Sequence, residues 1–132
     1  MSSIFSKIIK GKIPCYKVAE NDKFLAFLDV FPIAKAHTLV VPKQEIDYIF
    51  DLDDQLLAEM NVFSKKVALA IEQVVDCERI GLAVIGLEIP HAHIHLVPIN
   101  NIYDIDFKKP KLSFTEDEFK SIALSIAEKV II

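Results

Sequence analysis

From Ile4 to Ile9 the apolar positions Ile4, Phe5, Ile8 and Ile9 fall at helical spacing, and Gly11 with Pro14 end the run. This predicts a short amino-terminal helix whose apolar face lies near a sheet. The runs "CYKVAE" and "FLAFLDVF" follow, separated by Asn21-Asp22, and predict a hairpin with Leu25, Phe27 and Asp29 on one face of its second strand. Phe31-Pro32 breaks that strand, and "AHTLVVP" starts another with His37, Leu39 and Val41 on a common face. Leu56, Leu57, Met60, Phe63, Val67, Ile71 and Val74 then keep a helical period from Asp51 to about Val75, with Asp51 or Asp53 as the cap. "RIGLAVIGLEI" reads as a mostly apolar strand containing Gly81 and Gly86, and Pro90 separates it from the next strand, with which it should pair. Asn100 to Lys111 has no periodic pattern; it reads as a solvated loop that could bring Lys108, Lys109 and Lys111 near a bound phosphate. Thr115-x-x-Glu118 is a capping box ahead of Phe119, Ile122, Ala123, Ile126, Ala127 and Val130, a last amphipathic helix. Together these elements predict an α+β fold, an antiparallel sheet with helices packed on one face and the other face left for chemistry.

The strand beginning at His91 carries that chemistry. In His91-Ala92-His93-Ile94-His95-Leu96-Val97-Pro98 apolar residues alternate with histidines, so Ala92, Ile94 and Leu96 point one way and the imidazoles line the opposite, open face. Three of the chain's four histidines lie in this stretch. Same-face neighbours on a strand sit roughly 7 Å apart, and the first and third histidines roughly 13 Å apart. Two neighbours could share a metal ion, but three could not converge on one without strong bending. A row of imidazoles can instead run along an extended anion such as phosphate, one attacking while the others orient it or donate hydrogen bonds. His37, alone on its strand, would ordinarily be a satisfied structural histidine. Asp29 is out of place beside Phe27, because a buried carboxylate needs partners; the ordinary alternative is a strand-end aspartate in water.

Composition narrows the partners. A chain of 132 residues is one domain, 1–132, by the usual size prior, and long enough to bury a core. No apolar run approaches the ~18 residues of a membrane span and no signal-peptide core is present, so the expected location is the cytoplasm, without a membrane partner. Cys15 and Cys77 are far apart with no CxxC spacing, which indicates neither a disulfide framework nor a thiol metal site. A net charge of -4 excludes broad nucleic-acid binding, which needs a basic face.

"PHAHIHLVP" resembles the signature of the histidine triad (HIT) family, His-φ-His-φ-His-φ-φ with φ apolar, and "IFSKIIKGKIPCYKVAENDKFLAFLDVFPIAKAHTLVVPK" is similar to the amino-terminal half of the same family. The resemblance covers roughly the first three quarters of the chain, and is nearest to the purine nucleoside phosphoramidase branch. It implies that His93 attacks the α-phosphorus of a nucleoside phosphate derivative, that His95 stabilises the phosphate oxygens, and that His91 and His37 stand behind His93 and fix its tautomer. It assigns Phe27 and Val30 to the surroundings of the base, Leu39 to its underside, Asp29 to the ribose hydroxyls, and Gly86, Leu87 and Glu88 to the phosphate and leaving group. It implies a purine nucleotide or nucleoside phosphoramidate as substrate, no cofactor, and a homodimer formed through the sheet edge and the long helix.

The chain departs from the family in two places. The zinc site of many members, a Cys-x-x-Cys pair, a histidine and the first triad histidine, reads here Ser3, Ser6, Glu45 and His91, so no structural zinc is expected. A glutamine commonly follows the glycine before the triad, where this chain has Leu87. Leucine cannot hydrogen-bond a leaving group. The competing readings are therefore a dinucleoside polyphosphate hydrolase, a nucleotide-binding module without turnover, and a protein that binds metal through its histidine row.

Overall fold

The computed structural model describes residues 2–131. Helix α1, Ile4–Ile9, starts where Ser3 accepts the Ser6 amide, as a short polar N-cap does. Strands β1 (Lys17–Glu20) and β2 (Phe24–Leu28) form the hairpin, and the Asn21 side chain between them accepts the amides of Lys23 and Phe24. Strand β3, Thr38–Pro42, returns beside β2. Helix α2 runs Asp54–Glu72 with Asp53 as its cap; the expected start at Asp51 falls instead in a 3-10 turn, Ile49–Asp51, that ends at an extended Leu52. Strands β4 (Arg79–Ala83) and β5 (Ile94–Ile99) follow, and α3, Glu116–Ala127, opens with the Thr115/Glu118 capping box.

The five strands form one antiparallel sheet in the order β1-β2-β3-β5-β4. Helices α2 and α3 cover one face, over Phe24, Ala26, Leu28, Val40, Ile94 and Leu96. The fully buried Met60, Val67 and Ile71 anchor α2 there, each worth about 1.5–3 kcal/mol of transfer free energy. Short α1 takes the opposite face, where Phe5 packs with Leu25, Phe27, Leu39 and Val41. The apolar stripe of α2 is thus largely consumed by its own sheet, and Val62 and Leu69 remain exposed.

Two predicted strands are shorter than expected. The run 79–89 leaves the sheet after Ala83, whose partner is His95, because β5 begins only at Ile94 and offers Val84, Ile85 and Leu87 nothing to pair with. Gly86 turns that segment with φ +75° and meets nothing within 4 Å, so the glycine there answers a backbone requirement and not a steric one. His91, Ala92 and His93 precede β5: the His91 amide bonds Ile89 O and the Ala92 amide bonds Ile46 O, which diverts the chain from the ladder. Among the described residues no helix is long and apolar enough to cross a membrane.

Candidate active site

One row of partners crosses the sheet from Phe27 through Leu39 to His95 and Ala83, so register alone brings an aromatic, an aliphatic and an imidazole from three strands side by side. Beyond Leu28, Asp29 donates its amide to His37 O and receives the Phe31 amide on its carboxylate. The histidines are not an open row. His91 is fully buried, His93 is 6% exposed and His95 is 9% exposed, because Phe5 of α1 lies edge-on to His91 and His93 while Phe107 lies edge-on to His95. The rings also close up: those of His93 and His95 are 4.8 Å apart between centroids, shorter than the regular strand spacing expected for them.

Hydrogen bonds to groups with only one possible role fix every proton. Ile33 N–H donates to His37 Nδ1 at 3.2 Å, so His37 carries its proton on Nε2 and donates it to His95 Nδ1 at 3.0 Å. His95 is then protonated on Nε2. The opposite tautomer holds at His93, whose Nδ1–H donates to the His91 carbonyl at 2.8 Å and leaves Nε2 with its lone pair. Among the described residues no buried side-chain nitrogen or oxygen lacks a partner, so the unbonded Nε2 atoms of His93 and His95 are the ones that reach solvent. The site presents one lone pair beside one N–H donor. His37 therefore stands behind His95, and only the His91 carbonyl stands behind His93, which corrects the expectation that both would back the middle histidine.

The tautomers of His37 and His95 require neutral rings. Burial pushes His95 down to about 3 and His37 down to about 4, and the charge of Lys111 acts on both in the same direction. His91 is also held below its ordinary value, by burial first. Asp29 Oδ2 lies 3.6 Å from His37 Nε2, a contact with a neutral ring and not an ion pair at neutral pH.

At the other end, His91 donates Nε2–H to Pro42 O at 2.8 Å and accepts the Ser3 hydroxyl on Nδ1 at 2.8 Å. Glu45 receives the Ser3 amide and the Ser6 hydroxyl, which holds its carboxyl at about 2. The four positions that the resemblance assigns to zinc do converge, but as a hydrogen-bonded cluster. They do not fit a structural zinc, since no thiolate is present and both hydroxyls are already engaged. Asp29, His37 and His95 have donor atoms within 4.8 Å of one another, close enough for an ion. The proton inventory opposes it: an ion on His37 Nε2 would force Nδ1–H against the Ile33 N–H, two donors face to face.

The remaining expected residues lie around this centre. Phe27 and Leu39 are buried beneath it, Val30 is half exposed, and Leu87 is 89% exposed on the segment that also carries Gly86 and Glu88. A cavity of about 450 Å³ joins Leu87 to His93 and is lined by Tyr48, Phe50, Leu82 and Val84. Of the three lysines, Lys111 is the one whose charge reaches the histidines, and it is tied to Phe107 O at 2.9 Å. No local pattern selects Phe5, Phe107 or Ile33 as parts of the site, and Ser3 and Glu45 entered only through the resemblance, as positions of a zinc site that lacks its ligands. The contacts of Phe5, Ser3 and Glu45 span long chain separations, the Ile33 amide acts within a non-repetitive turn before His37, and an isolated phenylalanine in an aperiodic loop carries no local signal.

The HIT domain family matches residues 10–102. The adenosine 5'-monophosphoramidase of Schizosaccharomyces pombe is 35% identical over 133 residues, covering 98% of this chain and 99% of that protein. Among solved structures, a HIT-like protein from Bartonella henselae superposes with TM-score 0.84 at 25% identity, covering 98% of this chain and 96% of that one. A zinc-bound histidine triad family protein from Mycobacterium smegmatis gives TM-score 0.80 at 25% identity, covering 97% and 95%. With the family matched through the histidine row and the fold shared along nearly the whole chain, this protein belongs to the HIT family of nucleotide-binding hydrolases.

Proposed function

We propose that the protein hydrolyses purine nucleoside phosphoramidates, or related derivatives of a nucleoside monophosphate, at the α-phosphorus through a nucleotidyl-His93 intermediate. The observation that carries this reading is the opposed tautomers of two adjacent rings: His93 offers a lone pair and His95 an N–H at the same opening. A nucleophile beside an oxyanion donor is what displacement at phosphorus needs. The His93 Nε2 lone pair forms the N–P bond as the P–N bond to the amine breaks, and the amine takes its proton from water. His95 stays a donor and not an acid, because a neutral ring that lost its Nε2 proton would become an imidazolate. The His91 carbonyl, accepting from His93 Nδ1, stabilises the positive ring of the intermediate. The hydroxide left by that proton transfer then attacks phosphorus and breaks the N–P bond, releasing the mononucleotide and restoring the neutral His93. In this reading Asp29 holds the ribose hydroxyls, Val30 meets the base with Phe27 and Leu39 beneath, and the Gly86-Leu87-Glu88 segment faces the leaving group. The phosphoramidase activity of the fission-yeast relative supports the choice of substrate class.

Trapping after rapid acid-free denaturation, with mass analysis, should find one nucleotide on His93. No adduct, with intact nucleotide binding, would favour a binding module without turnover. Faster cleavage of dinucleoside polyphosphates than of phosphoramidates would favour that hydrolase reading instead. The same proposal includes a homodimer. Strand β4 is an unpaired edge, and Leu82 on it, with Val62 and Leu69 on α2, leaves apolar groups exposed beside that edge. A monomeric mass at micromolar concentration in sedimentation would overturn it.

A further inference from the structure

We propose that Ser3 and Glu45 are positioning residues for the reaction at His93, acting through His91 from the positions that the resemblance assigns to a metal site. The inference rests on the hydrolase reading above, but its geometry does not. His91 is fully buried and held at both nitrogens by different parts of the chain, Nδ1 by the Ser3 hydroxyl from the start of α1 and Nε2 by Pro42 O at the end of β3. Its carbonyl is the acceptor that sets the tautomer of His93. The direction of each proton follows from groups that can only accept. Pro42 O takes Nε2–H, so Nδ1 must receive, and Ser3 Oγ is 2.8 Å away to give. The Ser3 hydroxyl is itself aimed by the Ser6 amide at 3.0 Å. The Glu45 carboxylate fixes the Ser3 amide and takes the Ser6 hydroxyl at 2.6 Å, which keeps Ser6 from competing for His91. Thus the hydroxyl and backbone of one serine locate a carbonyl that lies far along the chain.

Removing the Ser3 hydroxyl leaves a buried ring nitrogen without its donor, and the ring must turn or admit water. Either change moves the carbonyl behind the nucleophile, and displacement of a reacting group by about 1 Å can cost ~100-fold in rate. The test measures kcat and KM on adenosine phosphoramidate together with 15N spectra of histidine-labelled protein without substrate. Ser3→Ala should lower kcat ~10- to 100-fold with KM changed less than ~3-fold, and Ser3→Thr should recover most of it. Glu45→Ala should lower kcat by a smaller factor in the same direction, and it serves if Ser3→Ala does not fold. Wild-type spectra should show His91 protonated on Nε2 and His93 on Nδ1, with the His93 signal altered in Ser3→Ala or Glu45→Ala. Unchanged kcat and unchanged His93 resonances, with only a lower Tm, would overturn the proposal. Should the wild type lack turnover altogether, the hydrolase reading fails, while the spectra still decide whether Ser3 orders the row.

Discussion

On the face of the sheet under α2 and α3, Phe24, Ala26, Leu28, Val40, Ile94 and Leu96 meet the helices with no titratable group among them, whereas the face under α1 sets the histidines among Leu25, Phe27, Leu39 and Val41. The two are nearly equally dry. Ile94 is 1% exposed and its neighbour His95 is 9%. What differs is what dryness does. Around aliphatic groups it supplies stability in proportion to area, but around imidazoles it removes charge, so that hydrogen bonds alone decide where each proton sits. The helix face should therefore govern how firmly the protein folds, and the histidine face what it does and at which pH.

A crossed pair of substitutions tests that division most severely. His93→Gly should reduce turnover at least ~1000-fold while leaving nucleotide binding largely intact, since attack needs that lone pair and binding is shared with other groups. Met60→Ala, at a fully buried position of α2, should cost about 2–5 kcal/mol in denaturant unfolding and leave kcat unchanged well below the Tm. Full turnover in His93→Gly, or a kcat loss in folded Met60→Ala as large as its stability loss, would end the comparison.

Acid should separate the faces next. His37 and His95 have folded values of about 4 and about 3, below the ordinary 6.5, so between those limits the unfolded chain binds more protons than the folded one. Their contribution is complete above pH 6.5 and is lost as the pH falls toward 3. Unfolding free energy should drop by about 1–2 kcal/mol per pH unit between roughly pH 6 and 4. Glu45 contributes in the same direction but lower, between its ordinary 4.5 and about 2. Replacing both His37 and His95 with glutamine should flatten the upper window. A flat profile in the unmutated protein would mean that these rings are hydrated.

The smallest expected effect concerns the leaving group. Beside the cavity that joins it to His93, Leu87 offers no donor to a polyphosphate, a loss on the order of 1–3 kcal/mol or about ten- to hundredfold in rate, while an apolar amine loses nothing. The protein should have a higher kcat/KM for adenosine phosphoramidates with apolar amines than for diadenosine polyphosphates. Leu87→Gln should narrow the gap. Equal specificity before mutation would remove Leu87 from the argument.

Local pattern determined much of this molecule. The period of Ile4 to Ile9 predicted α1 with its observed bounds, Thr115 and Glu118 announced α3, and Asn21-Asp22 marked the hairpin, because caps and turns are made by residues a few positions apart. The alternation around His93 was enough to put Ala92, Ile94 and Leu96 on the face under α2 and α3 and the histidines on the other. Pattern failed where the deciding partner was remote. Nothing in "RIGLAVIGLEI" says that its second half has no strand to pair with, since that depends on where β5 starts. Nothing in the row itself says that His37 backs His95, that Phe5 and Phe107 close the row from water, or that Ser3 holds His91 across 88 positions. Residue type and spacing thus determined which groups could react, but burial and proton direction depend on every group that packs within a few ångströms, and only the tertiary structure brings those together.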